Sequence, residues 1–498
     1  MNLRSYTLQD LVRRNAALHG RRTAFVFEGR HVSHAEYAER AGRLAAGLAG
    51  IGVAPGDRVA ILAANGLEYV DLFAAAARLA AVVVPINSRL SADEVAHVLN
   101  ETAPRAVFVA GEFEALLPQT LLLKIPCYII GAVRSDQQPV SDLYVDELAP
   151  VAEVDDDTAL FIIHTAAVEG RSRGAVLTHG GLIAASMQLQ LAWKLSAADV
   201  NLGVLPLFHV AGIGFMLAAQ QAGAATLLLP GFNPAALVRH IDDDGGSMIG
   251  VFPPMLGALT DAAESAHSSL QSLRVVTGID SAETIARFQA RCPGAAFWSS
   301  YGQTETSGPV SLSPMAERPG SAGRPAGLST VAILDEQDRP LPHGAAGEIA
   351  VRGPTVFHGY WGRAEDSAIA FRNGWHHTGD LGHLDSDGYL WYGGRSEAKR
   401  LIKPGGENVY PAEVEQTILA HPAIAEVAVV GVSDAQWGEA VKAVCVLKVG
   451  HALTAESLIE FVGQRIARYK RPKHVVFVQA LPRTTAGALD RAALVACI

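Results

Sequence analysis

The stretch from Arg58 to Pro85 constrains the fold more than any other part of the chain. An apolar run of strand length, Arg58-Val-Ala-Ile-Leu-Ala63, is followed by a helix-patterned segment from Gly66 to Ala81. A second run, Val82-Val-Val-Pro85, comes next. Strands joined through a helix lie parallel, because the crossover returns the chain to the same end of the sheet. Unbroken apolar runs are what strands buried on both faces look like. Upstream, Ser33-His-Ala-Glu36 has the form of a capping box opening an amphipathic helix to about Gly50, and the turn Pro55-Gly56-Asp57 leads into the first run. Ala159-Leu-Phe-Ile-Ile163 reads as a further buried strand, preceded by three aspartates and followed by a loop of small residues. The expectation is an α/β protein with a large N-terminal portion of doubly wound sheets.

The texture changes later. Residues 320–396 carry frequent glycines and short alternating runs, such as Gly347-Glu-Ile-Ala-Val351, which predict a small β-rich subdomain. A glycine- and charge-rich stretch, Gly393 to Gly406, is the best linker candidate. It divides an N-terminal domain, 1–399, from a small mobile α+β C-terminal domain, 400–498. That last part predicts a helix from Pro411, strands at Val427–Gly431 and Ala443–Lys448, and a helix from Ala455. A length of 498 residues agrees with two or more domains, and 49% hydrophobic against 18% charged residues excludes disorder and a coiled coil. A net charge of −10 argues against nucleic acid or an anionic membrane surface as partner. The cysteines Cys127, Cys292, Cys445 and Cys497 have neither disulfide-framework nor zinc spacing, and the first residues lack an apolar core of signal-peptide length. From Val200 to Val238 there is no Asp, Glu, Lys or Arg at all, yet Pro206, His209, Gln220, Gln221 and several glycines interrupt the stretch. Buried strand and helix fit it better than a membrane span, so a cytoplasmic protein with no integral membrane segment is expected.

Several short motifs suggest chemistry. Gly170-Arg-Ser-Arg-Gly174 matches the G-x-S-x-G elbow of hydrolases, with Ser172 as its nucleophile. The elbow needs a strand running into the first glycine and a helix leaving the second. Here a loop precedes it, and Ala175-Val-Leu-Thr-His179 leaves looking extended. The same segment suits a phosphate loop, a turn of small residues followed by a cation, although it is no Walker sequence. Ser300-Tyr-Gly-Gln-Thr-Glu305 sets a hydroxyl beside a carboxylate, a pairing suited to phosphate and Mg²⁺. Gly374-Trp-His-His-Thr-Gly-Asp380 ends in an Asp on a glycine turn, suited to ribose hydroxyls. Gly394-Arg395 and Gly405-Gly-Glu-Asn-Val-Tyr-Pro411 follow in order.

With Gly347–Gly353 and Arg468-Tyr-Lys-Arg-Pro-Lys473, these strings make the chain resemble the acyl-adenylate-forming superfamily from about Leu8 to Arg491. The group includes acyl-CoA synthetases, carrier-protein adenylation domains and beetle luciferases; the resemblance is nearest to bacterial fatty- or aromatic-acid CoA ligases. It implies an acid:CoA ligase that joins a carboxylic acid to ATP as an acyl-AMP, then transfers the acyl group to coenzyme A after its C-terminal domain rotates. The small-molecule acid, ATP and CoA are the implied partners, with Mg²⁺ as cofactor. By the same resemblance Thr304 contacts the adenylate phosphate, Glu305 holds Mg²⁺, and Tyr301 lies against the adenine. Asp380 binds the ribose with Arg395 as a second contact, and Thr165, Gly170, Arg173 and Gly174 form the phosphate loop. Gly278 belongs to the adenine-side stretch, His209 sits at the acyl-carboxylate end unless it is a core histidine, and Gly405-Gly406 lies near the pantetheine tunnel. Arg400 falls at the hinge, two residues further from Arg395 than in the common pattern.

Three departures from the family pattern bear on activity. The phosphate loop, Thr165-Ala-Ala-Val-Glu-Gly-Arg-Ser-Arg-Gly174, lacks the inner hydroxyls, adds Glu169, and has Arg173 for the usual lysine. The adenine-side string is Thr277-Gly-Ile-Asp-Ser281. The last motif, Leu481-Pro-Arg-Thr-Thr-Ala-Gly-Ala488, carries Ala488 where the family has the lysine that serves adenylation. An alanine supplies no charge, so impaired adenylation with a spared thioester step is expected, whether Ala488 is engineered or natural. A non-catalytic acyl-adenylate or acyl-CoA binding protein, and an adenylating enzyme serving a carrier protein, are the alternatives. The charge-free stretch argues for an apolar acid and leaves aliphatic chain and aromatic ring both open. Oligomeric state stays open too, a homodimer included.

Overall fold

The computed structural model describes residues 5–118, 124–165, 172–395, 401–484 and 489–497. Arg58–Leu62 and Val82–Pro85 pair in parallel across the helix Leu67–Leu79. They sit inside an eight-strand sheet whose parallel strands run Ala159–Thr165, Val82–Pro85, Arg58–Leu62, Ala106–Ala110, Cys127–Ile130 and Gln138–Pro139. Arg173–Thr178 and Gly359–Tyr360 add antiparallel strands at one edge. A second, nine-strand sheet has a parallel centre of Ala296–Gln303, Val275–Gly278, Met248–Val251, Val200–Gly203, Ala225–Leu228 and Thr23–Phe27. One core joins the two sheets: Ile61, Phe108 and Phe161 from the first and Phe25 and Leu228 from the second enclose Leu44, Phe73 and Ile213 on helices between them.

The helix His34–Gly50 begins as expected, with Ser33 Oγ accepting the Glu36 amide at 3.1 Å. The box is half made, because the Glu36 carboxylate turns to Arg30 at 2.8 Å. The charge-free stretch resolves into the strand Val200–Gly203, the helix Val210–Ala222 and the strand Ala225–Leu228. The helix is apolar all round because it is buried all round. Its 13 residues rise about 20 Å, short of the roughly 30 Å of a bilayer core. Among the described residues no helix is long and apolar enough to cross a membrane.

Strands between Thr330 and Arg395 form a five-strand sheet, as the texture of the region predicts, while Gly359–Tyr360 leaves it for the eight-strand sheet. After residue 401 a smaller α+β unit follows. Ile424–Asp434 and Gly438–Leu447 pair antiparallel, and His474–Phe477, a strand that sequence reading did not single out, lies parallel to the second. Helices Pro411–Leu419 and Ala455–Gly463 cover one face through Val414, Ile418, Leu458 and Val462. The expected boundary between 399 and 400, and the hinge at Arg400, lie outside the described residues.

Candidate functional site

In open α/β sheets the crevice lies beyond the carboxyl ends of the strands, and the site is there. Leu205 and Pro206 follow one strand of the nine-strand sheet, Phe252 follows another, Ile279 a third, and Ser300 to Gln303 close the fourth. All of them except Tyr301 line a cavity of about 480 Å³. Gly278 has φ +143°, and a Cβ there would lie 1.8 Å from the Val251 carbonyl oxygen, so only glycine lets the strand end pass so closely. The cavity's apolar lining includes Val204, Leu205, Ala211, Phe215, Phe232 and Met255.

Beyond Gln303, a polar cluster is assembled from two sheets. Asp380, 1% exposed, accepts hydrogen bonds at Oδ2 from Tyr301 Oη at 2.7 Å and Gln303 Nε2 at 2.6 Å. Arg395, opposite it in register, brings Nε to 2.8 Å from Asp380 Oδ1. The pair is poorly aligned, so Oδ1 and Nε find no hydrogen-bond partner among the described residues. A buried carboxylate oxygen and a guanidinium N–H with spare capacity, side by side, suit a vicinal diol such as a ribose. Tyr301, buried with its hydroxyl on Asp380, holds that carboxylate.

The phosphate-loop strands form a hairpin, with Thr165 opposite Arg173. Gly170 lies outside the described residues. A strand, Arg173–Thr178, leaves the loop where a hydrolase elbow needs a helix, which removes the hydrolase reading of Ser172. Gly174 packs so closely on Ile162 that a Cβ would stand 2.5 Å from its Cγ2. Arg173 lies over the Tyr360 ring at 4.1 Å with Nη1 3.6 Å from Asp366. The Tyr360 hydroxyl donates to Glu305 Oε1 at 2.9 Å, and Thr165 Oγ1 reaches the same oxygen at 3.3 Å. Thr304 and Glu305 form the turn that ends the strand Ala296–Gln303. With Arg173, Arg395 and Tyr410 they line a small cavity of about 90 Å³. Magnesium takes one or two carboxylates and completes its shell with phosphate oxygens and water. Glu305 beside two hydroxyls fits that demand, and among the described residues no cluster of three metal-ligating side chains competes.

His209 precedes the helix Val210–Ala222, and its side chain is 39% exposed, so it is no core histidine. Its Nε2 lies 3.4 Å from Glu407 Oε1. Burial would raise the Glu407 pKa, but His209 and Arg89 outweigh it and hold the carboxyl at about 2. Gly405 and Gly406 have φ +58° and +86°, and a Cβ on the second would stand 2.9 Å from the Phe252 ring. Glycines there let the C-terminal segment close on the cavity. Ala488 lies outside the described residues.

Some site residues carried no signal strong enough to find them. Lys403 lines both the 480 Å³ and the 90 Å³ cavities, and burial, then Arg395, lower its pKa. Glu407 stood inside a recognised string without being singled out, and Tyr360 is marked only by the glycine before it. A third cavity, about 520 Å³, opens between the eight-strand sheet and the C-terminal unit, past His97, Arg465 and Tyr469. All three cavities share Thr304 and Asn408.

Residues 12–361 match the family described as AMP-binding enzyme, and residues 413–488 match the AMP-binding enzyme C-terminal domain. The chain belongs to the AMP-binding enzyme family. It is thereby a member of the acyl-adenylate-forming superfamily. Among AMP-binding enzymes it is 34% identical to a feruloyl-CoA synthase of Amycolatopsis sp over 486 residues, 96% of each chain. It is 35% identical to an indoleacetate–CoA ligase of Aromatoleum aromaticum, covering 97% of this chain and 96% of that one. A double mutant of the o-succinylbenzoate CoA synthetase of Bacillus subtilis, bound with its product analogue OSB-NCoA, superimposes with a TM-score of 0.86 at 28% identity, over 97% of this chain and 98% of that one. That synthetase with the acyl-adenylate intermediate OSB-AMP superimposes at 0.72, 27% identity, 99% and 98%.

Proposed function

We propose that this AMP-binding enzyme is an AMP-forming acid:CoA ligase for an apolar, aryl-bearing carboxylic acid. The observation that carries the reading is the convergence of three cavities on Thr304 and Asn408. A ligase of this type must bring an acid, a nucleotide phosphate and a thiol to one carbon, and each needs its own approach. The 480 Å³ cavity takes the acid, with Phe208, Phe215, Phe232 and Phe252 offering ring contacts. The 90 Å³ cavity takes the phosphate, with the ribose on Asp380 and Arg395 and with Glu305 as the magnesium carboxylate. The 520 Å³ cavity admits the thiol arm. ATP, CoA and Mg²⁺ are accordingly the expected small-molecule partners. Two curated relatives named for feruloyl and indoleacetate substrates support an aryl acid.

A carboxylate is a poor electrophile, and adenylation turns one of its oxygens into part of a leaving group. Negative charge grows on the acyl oxygen and on the phosphate as the thiol attacks. The Thr304 hydroxyl, Lys403 and Arg395 border that space, where water is scarce and a donor counts for more. His209, tied to Glu407, stands where the acid cavity meets the thiol approach. The C-terminal domain, from about residue 400, is the cap that exchanges positions between the half-reactions. The higher TM-score of the relative's CoA-analogue-bound double mutant than of its adenylate-bound form supports a cap set for the thiol step. Ala488 leaves the adenylation arrangement without its lysine, so the first half-reaction is slow in this chain.

The test supplies synthetic acyl-AMP esters of aryl and aliphatic acids with CoA and measures thioester directly. Thioester is expected fastest from aryl acyl-AMP, while acid plus ATP releases pyrophosphate slowly. Tight binding of every acyl-AMP without turnover would convert the reading to a non-catalytic binder. A preference for aliphatic chains would overturn the aryl assignment alone.

A further inference from the structure

Lys470 is 4% exposed, although lysine is rarely buried unless paired. It ends the short turn Arg468–Lys470 of the C-terminal unit. Its Nζ meets Glu413 Oε1 at 2.6 Å, on the helix Pro411–Leu419 of the same unit, and also Glu94 Oε1, on the helix Ala92–Thr102 beside the eight-strand sheet. Burial opposes the ammonium charge, and the two carboxylates more than restore it, raising the Lys470 pKa. The second oxygen of Glu94 accepts the Ser91 amide at 2.7 Å and the Ala467 amide at 2.9 Å, and Ser91 Oγ donates to the Arg465 carbonyl at 3.1 Å. Glu94 therefore closes its own helix as a capping box and anchors the C-terminal unit with the same carboxylate.

This bridge is built to part. If the two units separate, Glu94 keeps its Ser91 amide and Lys470 keeps Glu413. Neither side is left with a buried charge lacking a partner, the condition that makes a broken buried pair costly. Nearby, Arg89 and Asn87 hold Glu407, so the contacts gather on one short segment, 87–94, against which the C-terminal unit rests.

We propose that Lys470 is a positioning residue: by bridging Glu94 and Glu413 it holds the C-terminal unit in the arrangement that forms the third cavity, and so controls the thiol step. The proposal rests on the ligase reading for its kinetic part; its structural part stands without it. The test combines hydrogen exchange over residues 92–102 and 465–470 with thioester formation from supplied acyl-AMP and CoA, for Glu94→Gln, Lys470→Met and Lys470→Arg. Both of the first two variants are expected to speed exchange in both segments. They lower kcat for thioester formation at least tenfold and leave the KM for acyl-AMP within twofold, and Lys470→Arg recovers at least half of the loss. Wild-type exchange in Glu94→Gln would overturn the proposal, as would a change confined to Lys470→Met. If Lys470→Met does not fold, Glu94→Gln decides alone. If the wild type forms no thioester from any acyl-AMP, the ligase reading falls, and the exchange data still decide the bridge.

Discussion

The two ends of the candidate site are built on opposite principles. At the proposed nucleotide end, Asp380, Tyr301, Gln303 and Arg395 meet from two sheets in a buried hydrogen-bonded cluster, in which Asp380 Oδ1 and Arg395 Nε are short of partners among the described residues. At the acyl end, Val204, Leu205, Phe215 and Phe232 offer shape and apolar surface. A polar cluster tolerates almost no change, because each group satisfies another. An apolar wall accepts any substitution that conserves volume. On the proposed function, the polar cluster would carry the shared nucleotide chemistry, and the apolar wall would be free to select the acid.

The sharpest way to break this comparison lies outside both ends. Ala488→Lys is expected to raise acid-dependent pyrophosphate release about 100-fold, the scale of one well-placed donor at a developing charge. The rate of thioester formation from supplied acyl-AMP should stay the same. No rise in pyrophosphate release would mean that some other cation already does the work of that lysine.

Asp380→Asn comes next. It removes the charge that faces Arg395 and is expected to weaken AMP binding about 10- to 100-fold by calorimetry, the range for hydrogen bonds to a charged group. The acid preference among supplied acyl-AMPs should not move. At the other end, Ala211→Leu fills part of the acyl wall and is expected to cut kcat/KM for the bulkiest aryl acids about tenfold. AMP affinity should be unaffected. If Ala211→Leu disturbed AMP binding as much as Asp380→Asn does, the two ends would not be independent.

The smallest effect is on stability. His179 starts the helix after the phosphate-loop hairpin, and its Nδ1 accepts the Leu8 amide at 3.3 Å. Burial lowers its pKa to about 4 from 6.5. The folded state thus binds that proton less readily than the unfolded chain, so stability is full above pH 6.5 and falls as pH drops towards 4. The whole loss is on the order of 3 kcal/mol. Thermal melts from pH 7 to pH 4 should show a fall of a few degrees, reduced in His179→Gln. An acid-induced fall just as steep in the variant would place its origin elsewhere.

Much of this site is legible as spacing. Asp380 closes a Trp-His-His-Thr-Gly-Asp string, and Thr304 and Glu305 end another, because local turn chemistry demands particular residues in a particular order. Gly278 and Gly406 are legible for a related reason, since only glycine permits the close backbone approach each makes. Glu407, Lys403 and Tyr360 are different. Their importance comes from what faces them: His209 and Arg89 for Glu407, and Arg173 and Glu305 for Tyr360, all far off in sequence, and Arg395 for Lys403, eight residues earlier but across a strand end. The Glu36 case runs the other way, where a good local signal yielded half its bonds to a nearby arginine.

Taken alone, the sequence determined that the chain forms parallel sheets with crossover helices, that an apolar stretch without charge is buried, and that position 488 carries no cation. These follow from periodicity and side-chain chemistry, which act within a few residues. Only the tertiary structure decided that three cavities meet at Thr304 and Asn408, and that one buried lysine answers to carboxylates on two units. Such facts depend on distances between segments far apart in the chain, Glu94 and Lys470 by 376 residues, which packing sets and no local pattern encodes.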